Sequence, residues 1–447
     1  MPEQLMKCFS TRSRLWILGL LSAFVYVVNF NSGDFLSRLG ILSASPSAFV
    51  SYLIQLFPLT LFYILALWVV GRAGDDNAKG LLAVTLLFAL VFRLPLILQE
   101  PVLSSDLYRY LWDGRVQVVG GLNPYLYSAG DDKLASLRDQ EIFPQINRKE
   151  APTVYPAGAQ LLFRGLHRLG IETPGKFKAA ALVADGITMG ILFLILIELR
   201  LPRSRILIYG WNPLIIYELF HSGHLESFLL PPLMAFVYLL LRNRLIGAGA
   251  LLGVAAAIKL IPALLLVAIP PGKRIKILLA FLFVFIFSYL PYVGAGKKVL
   301  GFLPKYFSDP YEIFNPGILQ AGLLWGAKSF ALPPSSIRYV LSLILIAFLL
   351  FIMRRHNEQP EQLIPRLYII FVLCLIPSRA WLYLSLVLPL SYLKYLNPDA
   401  AMPPWITAVQ FAPLYVLLAF EYARMKPLNE RRYQWHLGTQ TPSSTTL

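Results

Sequence analysis

Thirteen apolar runs alternate with short polar segments along the chain: residues 15–30, 50–70, 81–98, 179–199, 206–219, 227–241, 245–258, 262–269, 275–293, 339–353, 363–376, 381–396 and 406–422. Crossing a bilayer takes roughly 20 predominantly apolar residues. In hydrocarbon the backbone must satisfy its own hydrogen bonds, so these runs predict helices. The shorter ones predict half-spanning or re-entrant helices buried in protein. The pattern therefore predicts an all-α, polytopic transmembrane protein with roughly 11–13 membrane segments. The first run has no small-residue cleavage site and is followed by more spans, so it reads as a retained helix rather than a signal peptide.

Composition agrees with lipid as the main solvent. Hydrophobic residues make up 57% of the chain and charged residues 14%, against roughly a quarter charged in a soluble domain. The net charge of +16 would suggest nucleic acid in a soluble protein. Here the basic residues sit in short loops at 7–14, 200–205, Arg242 with Arg244, 273–276 and Arg354 with Arg355. That is the positive-inside pattern, and no nucleic-acid role is expected. Cys8 and Cys374 are the two cysteines, and they imply neither a disulfide nor a metal site.

With the N-terminus inside, three spans deliver residues 99–178 to the outer face, the longest hydrophilic stretch. Within it, 158–169 is apolar on one side and carries Arg164, His167 and Arg168 on the other, which predicts an interfacial helix. The short runs 245–258 and 262–269 lie between basic loops and predict a re-entrant hairpin with Lys259 near its tip. Counting spans puts the C-terminal tail outside, whereas Arg424, Lys426, Arg431 and Arg432 put it inside. Residues 1–437 read as one membrane domain without internal repeats, and 438–447 as a polar, disordered tail.

Chemistry concentrates in residues 104–127, where Asp, Arg, Tyr, Trp and Asn crowd beside a hydrophobic boundary. Asp106 and Asp113 are seven apart, two helical turns, so they share a helix face. A carboxylate there can act as general base on a hydroxyl. It can equally pair with Arg109 or Arg115 and fix the loop. Lys259 sits in an apolar run, where a charge needs compensation from a bound phosphate or from an acid such as Asp185 or Glu218. Asp185 reads as its structural partner. His221, His224 and Glu226 are spaced H-x-x-H-x-E. The zincin order is absent and no third strong ligand is fixed, so no metal is expected.

The segment Asp106-Leu107-Tyr108-Arg109-Tyr110-Leu111-Trp112-Asp113-Gly114, with Asn123-Pro124-Tyr125 after it, resembles the first outer loop of the integral-membrane glycosyltransferases called GT-C. The likeness is closest to bacterial polyprenyl-phosphomannose-dependent mannosyltransferases. Fainter echoes follow in order: Val154-Tyr155-Pro156, Trp211-Asn212-Pro213, Gly223-His224-Leu225-Glu226, Ala257-Ile258-Lys259-Leu260 and Arg379-Ala380-Trp381-Leu382-Tyr383. The chain departs from the family pattern at Ser105-Asp106, often two adjacent acids, and at Tyr155-Pro156-Ala157, often Tyr-Pro-Pro. Leu225-Glu226 also stands where an Asn-Asp pair is usual.

The resemblance implies a GT-C-like fold with a catalytic first outer loop. It implies transfer of a sugar, mannose above all, from a polyprenyl-phosphate donor to a glycan, lipid or protein acceptor. It places the enzyme in the cytoplasmic membrane with its active face outward, bathed in membrane lipid. It needs no cofactor and inverts the anomeric centre in one displacement. Asp106 is then the catalytic base, and Arg109, Tyr110, Asp113, Asn123, Tyr155, His221, His224, Glu226, Lys259 and Arg379 bind substrate. The rival reading is a transporter or flippase of a lipid-linked substrate, which also needs intramembrane charges and broken helices.

Overall fold

The computed structural model describes residues 10–28, 48–73, 78–101 and 104–302. All fall within one of the two compact units into which the chain divides. The C-terminal spans from 339 onward, the tail, Arg379 and the far end of the one-domain reading lie outside the described residues.

The described residues hold helices and irregular chain, with no strand. Three helices come first: α1 (Thr11–Val28), α2 (Ala48–Gly71) and α3 (Ala78–Ile97). Next are α4 (Asp106–Val118), α5 (Ala157–Arg168) and α6 (Pro174–Glu198), with two short 3-10 turns, Asp132–Leu137 and Phe143–Gln145, between α4 and α5. Two single-turn helices follow, α7 (Leu207–Gly210) and α8 (Pro213–Ile216), and then a π-helical turn, Tyr217–His221. Last come α9 (Glu226–Leu241), α10 (Leu245–Ile258), a 3-10 segment Ile261–Ala268, α11 (Pro271–Ser288) and a 3-10 segment Leu290–Leu300.

Helices α1, α3 and α6 are long and apolar enough to cross a membrane. A fourth span is possible if α11 and Leu290–Leu300, bent by 87°, count as one. Phe24, Leu90, Val183 and Phe283 on these helices are exposed, as lipid-facing side chains must be. The protein is an all-α, polytopic membrane protein.

Three local expectations need correction. The run 206–219 is not one helix. Pro213 has no N–H to continue the ladder, and Asn212 caps a new helix by accepting from the N–H groups of Leu214 (3.0 Å) and Ile215 (3.4 Å). Helix α11 stops at Ser288, before the bend, so the run 275–293 is not straight. In α5, His167 is only 6% exposed, on the packed face rather than the polar one. There α5 meets α4, α10 and α11 instead of lying free on one side.

Packing of these elements puts the polar segment onto the ends of the apolar helices. Helix α10 packs between α9 and α11, with Ala248, Leu252, Ala255 and Ala256 buried. The start of α5 rests on the end of α10 so closely that a Cβ at Gly158 would stand 2.6 Å from the Ala257 carbonyl carbon. Only glycine allows that approach. Helix α10 ends there, and Lys259 follows in an extended conformation (φ −147°, ψ 131°). The break falls where the two short apolar runs were expected to meet.

Candidate active site

Asp106 opens α4. Its backbone N–H donates to Ser104 Oγ (3.3 Å), and its carboxylate lies in the first turn, where the helix dipole favours negative charge. Asn147 Nδ2 donates to Asp106 Oδ1 at 2.7 Å. Among the described residues no hydrogen bond engages Oδ2, and the side chain is half-buried.

Arg109 and Asp113 build the frame that places Asn147. Arg109 Nε donates to Asp113 Oδ1 (2.8 Å), and its two other nitrogens donate to the carbonyls of Arg148 (3.4 Å) and Ala151 (3.1 Å). The far oxygen of Asp113 accepts from Gln160 Nε2 (2.8 Å), which also reaches Thr153 Oγ1 (2.8 Å). Arg109 is 5% exposed and Asp113 1%. A buried ion pair must have its remaining donors satisfied, and these carbonyls do so. The pair thereby locks the segment carrying Asn147, and Asn147 in turn holds Asp106. The two acids share one helix but have different surroundings.

Asn123 acts on the same loop. Its Oδ1 accepts from Tyr125 N–H (3.1 Å), and Tyr125 Oη donates to the Tyr155 carbonyl (2.8 Å). Tyr155 is thus fixed beside Tyr110, edge to face at 5.1 Å, while Tyr110 stacks on Phe163 at 5.0 Å. Burial, then the neighbouring Tyr155 and the carboxylates of Asp106 and Glu226, push the Tyr110 hydroxyl well above the usual tyrosine range. It remains a protonated donor at every physiological pH.

The second half of the site comes from the turn before α9 and the end of α10. His224 Nδ1 lies 2.7 Å from Glu218 Oε2. Glu226, at the start of α9, pairs with Lys259. His224 is within electrostatic reach of Glu218, Glu226 and Asp106, and Tyr110 within reach of Asp106 and Glu226. Four stretches far apart in sequence therefore converge: Asp106 with Tyr110, Tyr155, His224 with Glu226, and Lys259. His221 is buried near Lys178 rather than in this group, and Arg379 lies outside the described residues. Among the described residues, no three His, Cys, Asp or Glu side chains stand close enough to share a metal ion.

Asp185 is not the partner of Lys259. Arg93 on α3 takes it, Nε to Oδ2 at 2.8 Å, and Tyr209 Oη donates to its other oxygen at 2.5 Å. Arg93 also donates to the carbonyls of Ala89 (2.6 Å) and Gly210 (2.8 Å), which ties α3, α6 and α7 together. The pair floors a cavity of about 410 Å³ between α3 and α6 that shares no residue with the convergent cluster. Two other polar residues have structural work that the sequence did not signal. Lys178, fully buried, donates to the carbonyls of Gln99 (2.6 Å) and Leu96 (3.4 Å) and caps α3 just before the motif. Asn147 positions Asp106.

No curated protein and no solved structure matches the chain significantly. The family profile for the N-terminal domain of alpha-(1->6)-mannopyranosyltransferase matches residues 17–270. That is more than half the chain, and it contains every residue of the convergent cluster. With a polytopic helical fold and the polar cluster at its helix ends, the match places this membrane protein in the MptA/B family of alpha-(1->6)-mannopyranosyltransferases.

Proposed function

We propose that this mannosyltransferase takes mannose from a polyprenyl-phosphate carrier and passes it to an acceptor hydroxyl on the outer side of the cytoplasmic membrane. Asp106 is the general base. Its Oδ2 takes the acceptor proton as the acceptor oxygen attacks the anomeric carbon. The bond from that carbon to the phosphate oxygen breaks, and the lipid phosphate leaves with the bonding pair. One displacement inverts the anomeric centre. The observation that supports this reading best is the convergence of Asp106, a half-buried carboxylate with one oxygen uncommitted among the described residues, with His224 and Lys259. A base and the cations a phosphate needs then stand together.

The rival transporter reading needs charges that line a path through the membrane. The convergent residues instead sit at element ends: Asp106 at the start of α4, His224 in a turn, Lys259 just past α10. Incubating the purified chain with labelled polyprenyl-phosphate sugars and an envelope extract tests the proposal. Label moved to an acceptor supports it. Label that crosses a vesicle membrane still attached to its carrier contradicts it.

Lys259 should hold the donor phosphate, sharing the lysine with Glu226. Lys259→Met should weaken donor binding more than acceptor binding. A hydrogen bond to a charged group contributes about 1.5–3 kcal/mol, or roughly 10–100-fold in affinity. Removing the lysine also strands Glu226, so the Lys259→Met/Glu226→Gln pair separates the two effects. Donor affinity restored in that double variant would show that the lysine serves only to neutralise Glu226.

Residues 99–178 should face away from the cytoplasm. Ser136 is exposed on a short 3-10 turn. In a Cys8→Ser, Cys374→Ser background, Ser136→Cys should react with an impermeant maleimide added outside intact inner-membrane vesicles of native orientation. Reaction only after permeabilisation would invert the topology.

A further inference from the structure

The chain between α8 and α9 closes on itself twice. The π-helical turn Tyr217–His221 inserts an extra residue, with Ser222 N–H donating to the Tyr217 carbonyl at 2.9 Å. Gly223 then adopts φ +68°, a conformation side chains disfavour, and a Cβ there would also press on Leu107 at 3.0 Å. This reversal brings His224 back over Glu218. The His224 N–H donates to the Glu218 carbonyl (3.0 Å), and its Nδ1 meets the Glu218 carboxylate (2.7 Å). π-turns of this kind cluster at functional sites because they re-aim side chains.

The consequence lies on the other ring nitrogen. His224 Nε2 is buried and has no hydrogen-bond partner among the described residues. A buried polar atom left unpaired costs about 1–3 kcal/mol, so a fold that orients the ring this tightly while leaving Nε2 unpaired points to a ligand atom there. The groups facing the ring are Glu218 from the π-turn, Glu226 from α9 and Asp106 from α4, with Lys259 paired to Glu226 just past α10. Burial opposes charge on the ring. The three carboxylates, Glu218 foremost, outweigh it and lift the imidazole pKa to about 9. Both ring nitrogens then carry protons: Nδ1–H serves Glu218, and Nε2–H is left to donate.

We propose that Glu218 holds His224 as an imidazolium whose Nε2–H hydrogen-bonds the phosphate that leaves the mannosyl donor. The proposal rests on the reading above for the identity of the donor. His224 touches substrate and is catalytic, whereas Glu218 acts through it and is a positioning residue. The negative charge on the phosphate grows as the bond to the anomeric carbon breaks, so a fixed cationic donor helps most in the transition state. Charge-assisted hydrogen bonds are the strong ones. A purely structural histidine would need only its contact with Glu218, and its Nε2–H would not respond to a phosphate ligand.

Two readouts test it. In full-length protein carrying ¹³C,¹⁵N-histidine in nanodiscs, His224 is assigned by loss of its signals in His224→Gln. It should be an imidazolium at pH 8, and its Nε2 signal should move when polyprenyl monophosphate is added. Inorganic phosphate should move it the same way at higher concentration, which would mark the headgroup rather than the lipid tail as the ligand. In turnover, kcat should hold through neutral pH and fall as pH passes about 9. Glu218→Gln, which keeps an acceptor for Nδ1–H, should move that fall downward by at least about one unit, lowering kcat at pH 8 by at least about twofold with KM little changed. Wild-type His224 neutral at pH 8, or unmoved by polyprenyl phosphate, would overturn the dyad even if the protein transfers mannose. An imidazolium that responds to polyprenyl phosphate in a protein that transfers no mannose would instead sink the donor reading and leave the dyad standing as a lipid-phosphate site. The pH profile of wild-type kcat needs no variant to fold.

Discussion

Asp106→Asn is expected to lower mannosyl transfer by about 10²–10⁴-fold, the usual worth of a general base. Donor binding and folding should stay close to wild type. Asn147 Nδ2 donates to Asp106 Oδ1, and an asparagine carbonyl at 106 can accept the same bond. The frame of Arg109, Asp113 and Gln160 does not depend on residue 106. The substitution thus removes one negative charge and one proton acceptor and little else. The check is single-turnover transfer with saturating donor, alongside donor binding measured separately. Activity above half of wild type would remove Asp106 from the mechanism. Asn147→Ala should act in the same direction more weakly, because it frees the carboxylate to rotate without removing it.

The second large effect falls on stability. Asp185→Leu leaves Arg93, 1% exposed, without its counter-charge. Breaking a buried ion pair by removing one partner costs about 3–5 kcal/mol. Helices α3, α6 and α7 meet at that pair, since Arg93 also carries the Gly210 carbonyl and Asp185 accepts from Tyr209. The single variant should therefore unfold at markedly lower temperature in detergent. Replacing both charges, Arg93→Met with Asp185→Leu, should recover most of the loss, because apolar pairs of similar volume often match buried ion pairs. Some deficit should remain, as the Gly210 carbonyl loses its donor. Equal unfolding temperatures for wild type and Asp185→Leu would show that the pair is dispensable. The same pair of substitutions with Lys259→Met in place of Arg93→Met should give no rescue, because Lys259 is bonded to Glu226 and not to Asp185.

What the sequence revealed and what it concealed follow from how each residue earns its place. Asp106, His224, Glu226 and Lys259 stood out as polar residues beside or within apolar runs, where they are costly and few, and the motif resemblance gave Asp106 its role and brought in Tyr110 and Tyr155. Their convergence required the fold, since no periodicity links α4, the turn before α9 and the end of α10. Arg93 was passed over inside the run 81–98, where an apolar average hides one cation, and Asp185 was consequently given the wrong partner. Glu218 was considered only as a counter-charge for Lys259. Its contact with His224 depends on a π-turn and a positive φ at Gly223 that hydropathy does not encode, although the glycine beside a histidine was a visible cue. The break at Asn212-Pro213 was legible in principle, as an Asn cap followed by a proline is a helix-start signal; length and hydropathy overrode it. His167 was assigned to the wrong face because α5 is covered by three helices, so its polar side is not simply its solvent side.

The central claim is that the convergent cluster moves mannose from a lipid phosphate. The most direct test gives the full-length protein, in nanodiscs with acceptor-bearing envelope extract, mannose labelled on polyprenyl phosphate in one reaction and on a nucleoside diphosphate in another. Wild type and Asp106→Asn are run side by side. The account predicts labelled, anomerically inverted product from the polyprenyl donor alone, lost in the variant. Product formed from the nucleotide donor, or formed equally well by Asp106→Asn, would contradict it.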